Sequence, residues 1–306
     1  MSALAGLDWI AADWGTSNLR VWAVASDGHV IAQAESDDGM GRLDRAGFEP
    51  ALIRLVGGWL PSGRVTLVVA CGMVGSRQGW IEAPYRTVPC TPMDAGRMVS
   101  PTVTDARIAV HVVPGLRQDQ PADVMRGEET QIAGFLSREP GFDGVLCLPG
   151  THCKWVRISA GEVVGFQTCM TGEIFALLSG QSVLRHSVGT DGWDDAAFLE
   201  ATSDSRSHPA RVAGRLFGLR AEGLLHGLSP ATARARLSGM LIGMELAATR
   251  PYWLGLDVAV IGAGRVSSAY ATALSAQGVA ARTLPVEGMT LAGLSAARAT
   301  LAAGVA

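Results

Sequence analysis

Hydrophobic positions gather into short runs at two places along the chain, and both places carry the same punctuation. In residues 7–34 an apolar run through Ile10-Ala-Ala-Asp13-Trp14 breaks at Gly15-Thr16-Ser17-Asn18. It resumes through Leu19-Arg20-Val-Trp-Ala-Val24, turns at Asp27-Gly28 and resumes at Val30. Short apolar runs between glycine turns predict a three-strand meander, and Asp-Gly suits the positive φ of a tight hairpin. Residues 143–169 repeat the plan. Val145-Leu-Cys-Leu148 breaks at Pro149-Gly150-Thr151-His152, Cys153-Lys154-Trp155-Val-Arg-Ile158 follows, and a turn at Ala160-Gly161 leads to Val163. Helical spacing marks 47–60 (Phe48, Leu52, Leu55, Val56, Trp59), stopping at Pro61, and again 125–136, 173–184, 191–228, 230–249, 264–277 and 290–303. Residues 65–70, 107–113, 257–261 and 280–285 read as buried strands, 81–106 as a Pro-rich loop, and 114–121 as a crossover between domains. Each half is then a meander followed by alternating helices and strands, an α/β chain with an internal duplication.

Composition narrows the function classes. The 306 residues suffice for one large or two medium domains, and 17% charged with 48% hydrophobic residues is a globular balance. A net charge of −3 without a basic cluster offers no field for nucleic acid or an anionic membrane. An anionic substrate would need a local pocket of Arg. Cysteines 71, 90, 147, 153 and 169 are odd in number and form no CxxC pair, so neither a zinc site nor a redox motif is signalled. Buried reduced thiols, an N-terminus without a basic n-region and the lack of an apolar run of about 18 residues predict a cytoplasmic protein. The Ala-rich helices at 230–249 and 290–303 offer surface for a homodimer.

Five segments carry candidate chemistry. At Asp13-Trp-Gly15-Thr16-Ser17, Gly15 permits a tight turn whose N–H groups and hydroxyls suit phosphate oxygens, and Asp13 at the strand end suits Mg²⁺. An ordinary capped hairpin explains the same residues, but the second copy at Gly150-Thr151-His152 shifts the balance toward phosphate. Gly262-Ala263-Gly264 after an apolar strand suits close packing on an adenosine. It lacks the third glycine and the acidic ribose partner of a dinucleotide fingerprint. Arg126-Gly127-Glu128-Glu129 opens a helix: either carboxylate suits proton acceptance from a hydroxyl, and both also suit the helix dipole. Arg126 suits a carboxylate ligand. The loop Ser76-Arg77-Gln78-Gly79-Trp80-Ile-Glu82 assembles Arg, Gln, Glu and an aromatic, a set suited to a polyhydroxy acid or to a packed surface loop.

The order of these motifs resembles the sugar kinases of the actin/hexokinase/Hsp70 ATPase-fold superfamily and, more closely, the 2-dehydro-3-deoxygalactonokinase family. The resembling segments are Asp13–Arg20, Cys71–Trp80, Arg126–Gln131, Leu148–Trp155 and Ile261–Arg265, spread over nearly the whole chain. The resemblance implies two ribonuclease-H-like domains, 1–115 and 116–306, hinged around an ATP cleft. The first would hold the first phosphate loop and the sugar-acid loop, the second the catalytic Glu, the second phosphate loop and the adenosine segment. It implies transfer of the γ-phosphoryl of ATP to the 6-hydroxyl of 2-dehydro-3-deoxy-D-galactonate in galactonate catabolism. Gly15, Thr16 and Ser17 would form the first phosphate loop, Gly150, Thr151 and His152 the second, and Gly262, Ala263 and Gly264 the adenosine segment. Asp13 would organise Mg²⁺, and the base would be Glu128 or Glu129. Arg77 would lead the substrate contacts with Gln78, Trp80 and Glu82, and Arg126 and Arg20 would be lesser candidates. The competing readings are a kinase of the same fold for another sugar acid or amino sugar, a non-catalytic nucleotide switch, and a dehydrogenase built on Gly262–Gly264.

Overall fold

The computed structural model describes residues 3–303. Contacts divide the chain into two compact units. Unit 1 comprises the chain up to Phe142, Ala160–Val164 and the segment from Val286 onward; unit 2 comprises Asp143–Ser159 and Gly165–Pro285.

In unit 1, β1 (Leu7–Trp14), β2 (Leu19–Ala25) and β3 (Val30–Ser36) form the expected antiparallel meander, with Asp13 opposite Arg20. Helix α1 (Phe48–Val56) buries Phe48, Ala51, Leu52 and Val56, the stripe its spacing predicts. Strand β4 (Thr66–Gly72) runs parallel to β1. Two further strands, β5 (Tyr85–Thr87) and β6 (Ile108–Val112), follow, giving a main sheet in the order β3-β2-β1-β4-β6. β7 (Gly115–Asp119) and β8 (Ala122–Met125) pair with β5 in a small sheet of order β5-β7-β8. Sequence reading takes this region for loop and crossover. The strands are short and, apart from Gly115, Leu116 and Met125, not buried, so they lack the apolar signal of a strand. Helix α2 (Glu128–Arg138) follows.

Unit 2 repeats the plan. Strands β9 (Gly144–Leu148), β10 (Cys153–Ser159) and β11 (Glu162–Cys169) lead to α3 (Thr171–Gly180), α4 (Asp195–Ser207), α5 (Val212–His226), α6 (Pro230–Ala248) and the short α7 (Arg250–Trp253). Strand β12 (Val258–Ile261), α8 (Gly264–Ser275) and β13 (Arg282–Leu284) complete it. The sheet order β11-β10-β9-β12-β13, with β12 parallel to β9, matches the main sheet of unit 1 strand for strand. Helix α6 is buried from Ala233 to Leu246 and crosses α4 closely. A Cβ on Gly239 or Gly243 would stand 2.5 Å from the Phe198 carbonyl oxygen or 2.4 Å from that of Thr202. The buried side of α6 packs inside unit 2.

The contact division falls elsewhere than the expected boundary after residue 115. Residues 116–142, with Glu128 and Glu129, group with unit 1, and so does α9 (Met289–Ala303). The reason is packing. A Cβ on Gly134 or Gly293 would stand 1.9 Å from the Met289 or the Thr130 carbonyl oxygen, so α2 and α9 touch backbone to backbone. Leu294 and Ala297 then cover Trp9, Ala11, Val69 and Cys71 of β1 and β4. The α9 surface expected for a dimer is drawn on for this packing.

Candidate active site

In unit 1 the end of β1 delivers Asp13 to a turn closed by the Gly15 N–H donating to the Asn18 carbonyl at 2.9 Å. The chain after β3 crosses this turn. The N–H groups of Gly39, Met40 and Gly41 donate to the carbonyls of Ser17, Gly15 and Thr16 at 3.2, 3.0 and 2.9 Å, and Trp14 Nε1 donates to the Asp38 carbonyl at 2.7 Å. A side chain at Gly39 is impossible without a shift, since its Cβ would lie 2.2 Å from the Ser17 carbonyl carbon. The brace takes up the carbonyls of the turn and leaves the Thr16 and Ser17 side chains exposed. Sequence reading missed it; the Gly-Met-Gly triplet just after the meander is its signal.

The Asp13 carboxylate is mostly buried, with Arg20 Nη2 at 3.5 Å and the Cys71 thiol at 3.9 Å. Burial pushes its pKa up and the Arg20 guanidinium pulls the other way. Beside it, Gly127 (φ +109°) turns the chain from β8 into α2. Glu129 is fully buried: Oε2 accepts from the Gly127 N–H at 2.7 Å and Oε1 from Thr130 Oγ1 at 3.3 Å. Burial, then the neighbouring Glu128 charge, raises its pKa to about 8. Glu128 is half-buried and accepts from the Arg126 N–H at 3.2 Å. The Cys71 thiol, which donates to Asp13 at 3.9 Å, is raised well up by burial and then by the charges of Asp13 and Glu129.

The sugar-acid candidates separate. Arg20 lines a 630 Å³ cavity with Asp13, Gln33, Glu35, Gln131 and Thr290. Arg77 is 80% exposed and pairs with Glu82 at 3.4 Å, with Gln78 exposed beside it. Trp80, expected as a substrate platform, is instead a core residue. It is 6% exposed, stacked on Phe48 at 6.2 Å and edge-on to Trp14 at 6.1 Å, because the apolar α1 stripe supplies it a better partner than solvent. The Arg126 guanidinium lies 4.3 Å over the Tyr85 ring. Its Nη2 donates to the Ala83 carbonyl at 2.8 Å, while Nε and Nη1 are buried without a partner.

In unit 2 the turn Gly150–His152 is braced by a helix start. Gly172 packs on it so closely that a Cβ would be 2.2 Å from the Gly150 carbonyl oxygen. The Glu173 N–H donates to the Thr151 carbonyl at 2.9 Å, and the His152 ring meets Glu173 Oε2 at 2.6 Å. β12 ends at Gly262, held by its N–H to the Leu284 carbonyl at 3.0 Å, and Gly264 (φ +66°) starts α8. Between turn and helix lies a 430 Å³ cavity lined by Gly150, Thr151, Phe175, Trp193, Arg234, Arg265 and Tyr270. Arg234 sits 5.1 Å over Phe175 and Arg265 5.4 Å over Trp193. Phe175, Trp193, Arg234 and Arg265 escaped sequence reading because they come from four separate elements. Backbone turns, aromatic faces and guanidinium groups in one recess suit a nucleotide.

Among the described residues no group of three or more His, Cys, Asp or Glu could chelate a metal. No helix there is long and apolar enough to cross a membrane.

A family model described as 2-keto-3-deoxy-galactonokinase matches residues 13–297. A Rhizobium meliloti (strain 1021) protein named as a probable 2-dehydro-3-deoxygalactonokinase is 39% identical over 296 residues, 94% of this chain and 96% of its own. The 2-dehydro-3-deoxygalactonokinase of Escherichia coli (strain K12) is 35% identical over 246 residues, 80% of this chain and 81% of its own. A crystal structure of a Sinorhizobium meliloti protein described under the same kinase name superposes with a TM-score of 0.88 at 38% identity, covering 96% of this chain and 99% of that one.

Proposed function

This chain belongs to the 2-keto-3-deoxy-galactonokinase family, and on that premise we propose that it moves the γ-phosphoryl group of ATP to the 6-hydroxyl of 2-dehydro-3-deoxy-D-galactonate. The observation that carries the reading is the carboxylate pair at the head of α2, a helix whose Gln131 lines the 630 Å³ cavity together with Asp13. A phosphoryl acceptor needs a base for its hydroxyl proton and a charged anchor near the transferring group.

Glu128 is the base in this reading. Its side chain is partly exposed and so within reach of a ligand, whereas Glu129 is sealed and engaged with Gly127 and Thr130. Glu129, neutral below a pH of about 8, adds no second negative charge beside Glu128. The Thr16 and Ser17 hydroxyls and the N–H groups of the first turn meet phosphate oxygens, held in place by the Gly39–Gly41 brace. Gly150, Thr151 and His152 do the same in unit 2. The 430 Å³ cavity, lined by Arg265 and Val266 directly after Gly262-Ala263-Gly264, takes the nucleoside.

Asp13 fits a divalent cation. It is a desolvated carboxylate whose nearest cation and thiol stand at 3.5 and 3.9 Å, too far for close pairing. As a lone protein carboxylate it would leave the other Mg²⁺ positions to phosphate and water. When bound, the ion would neutralise charge on the phosphate oxygens. Arg77, Gln78, Glu82, Arg126 and Arg20 remain the proposed contacts of the sugar acid. The setting is the cytoplasm, where galactonate catabolism draws on ATP.

The test is coupled ADP release with 2-dehydro-3-deoxygalactonate and its gluconate-derived epimer in parallel. Rapid turnover on the first, slow turnover on the second and little without either is the expected result. Glu128→Gln should cost about 10²–10⁴-fold in kcat, and Glu129→Gln clearly less; the reverse order would make Glu129 the base. ADP release indifferent to both acids would overturn the substrate assignment.

A further inference from the structure

Helix α6 carries one acid, Glu245, in a stretch whose other buried residues, Gly239–Gly243 and Leu246, are apolar, and it is 3% exposed. A carboxylate taken out of water is expensive unless several donors satisfy it. Here three side chains from three other elements do so: Trp155 Nε1 of β10 at 2.7 Å, the Tyr270 hydroxyl of α8 at 2.6 Å, and the Thr171 hydroxyl at the start of α3. All three donors are neutral. An amide would keep the Trp155 bond through its oxygen but reverse the other two: its NH2 would donate, the Thr171 and Tyr270 hydroxyls would accept, and their protons would lose the acceptor they now have.

Two of those donors are walls of the 430 Å³ cavity, Thr171 and Tyr270, and Glu245 itself is not. Thr171 is also the residue on which the second loop depends. The next two residues, Gly172 and Glu173, lie on Gly150 and Thr151, yet Met170 gives α3 no side-chain cap. The tether from Thr171 to Glu245 is the side-chain bond that ties the start of α3 to α6, beside the Glu173 N–H that donates to the Thr151 carbonyl. Resting on the kinase reading above, we propose that Glu245 is a positioning residue for the nucleotide, acting through Thr171 on the Gly150–His152 turn and through Tyr270 on the α8 wall. The role belongs to nucleotide binding alone, because every contact in the chain lies within unit 2.

The experiment measures ADP affinity by calorimetry without sugar acid, the KM values for ATP and sugar acid, and thermal unfolding, for wild type and four variants. Glu245→Gln should weaken ADP binding and raise the ATP KM tenfold or more while the sugar-acid KM stays within twofold. Glu245→Asp should recover part of the loss. Thr171→Val and Tyr270→Phe each delete one donor and keep the carboxylate, so they report even where Glu245→Gln does not fold; each should weaken ADP severalfold. A lowered melting temperature with unchanged ADP affinity, or an equal rise in both KM values, would overturn the proposal. A wild type that binds ADP yet phosphorylates neither acid would instead defeat the substrate reading and leave this one standing.

Discussion

The first and second Gly-Thr turns share a backbone plan and differ in what stands behind them. Each joins the first two strands of a meander, and each is pressed by a glycine from a later segment, Gly39 in unit 1 and Gly172 in unit 2. In unit 1 the presser is extended backbone that bonds the carbonyls of the turn. In unit 2 it is the first turn of a helix, whose Glu173 N–H bonds the Thr151 carbonyl and whose dipole favours an anion nearby. The residue two before the glycine is Asp13 in the first copy and Leu148 in the second; register puts Arg20 opposite the one and Lys154 opposite the other. Duplication supplied two cradles for phosphate, and only one kept an acid at its strand end. In the proposed reading, charge chemistry belongs to unit 1 and nucleotide holding to unit 2.

The sharpest way to break this contrast is Asp13→Asn. It should lower kcat about 10³-fold, the scale of losing a main electrostatic group at a reacting centre, while ADP affinity measured by calorimetry changes little. A comparable loss of ADP affinity would show that the first turn holds nucleotide as strongly as the second.

Next comes pH. Glu129 is raised from an ordinary 4.5 to about 8, so the folded chain keeps a proton that the unfolded chain gives up. Its contribution to stability is full below pH 4.5, falls as pH rises toward 8 and is level beyond, a change on the order of a few kcal/mol. Thermal unfolding of wild type and Glu129→Gln at pH 5 and pH 8 checks this: the fall in wild type should be the steeper. Parallel curves would remove the buried proton from the account.

The smallest effect sharpens the contrast. Gly39→Ala and Gly172→Ala each force backbone apart and should cost about 1–3 kcal/mol in unfolding stability. Gly172→Ala should also weaken ADP severalfold, while Gly39→Ala should leave ADP within twofold and lower kcat.

Much of this was legible in the sequence where local pattern and buried structure coincide. Both meanders, α1 and the apolar strands β4, β9 and β12 announce themselves by period and punctuation. The β7–β8 hairpin does not, because Leu-Arg-Gln-Asp and Ala-Asp-Val-Met bury too little to alternate clearly. Trp80 looked like a ligand surface because a single sequence cannot show that Phe48 and Trp14 wait for it. The carboxylates at Glu128 and Glu129 were found as a pair, and burial alone distinguishes them. Glu245 was invisible, since its three partners come from β10, α3 and α8. The N- to C-terminal return of α9 was equally hidden, because small residues such as Gly134 and Gly293 record a close crossing only once the partner is known.

That return has a consequence during synthesis. Unit 2 emerges from the ribosome as an almost continuous stretch, 143–285, and can close as soon as it is made. Unit 1 begins first and finishes last. The face of β1 and β4 that carries Trp9, Ala11, Val69 and Cys71 has no lid until Leu294 and Ala297 arrive. For the time it takes to translate about 220 residues, from the end of β4 to Leu294, a nascent chain displays that greasy sheet to whatever chaperone or neighbour is within reach. Truncation before α9 would leave the exposure permanent.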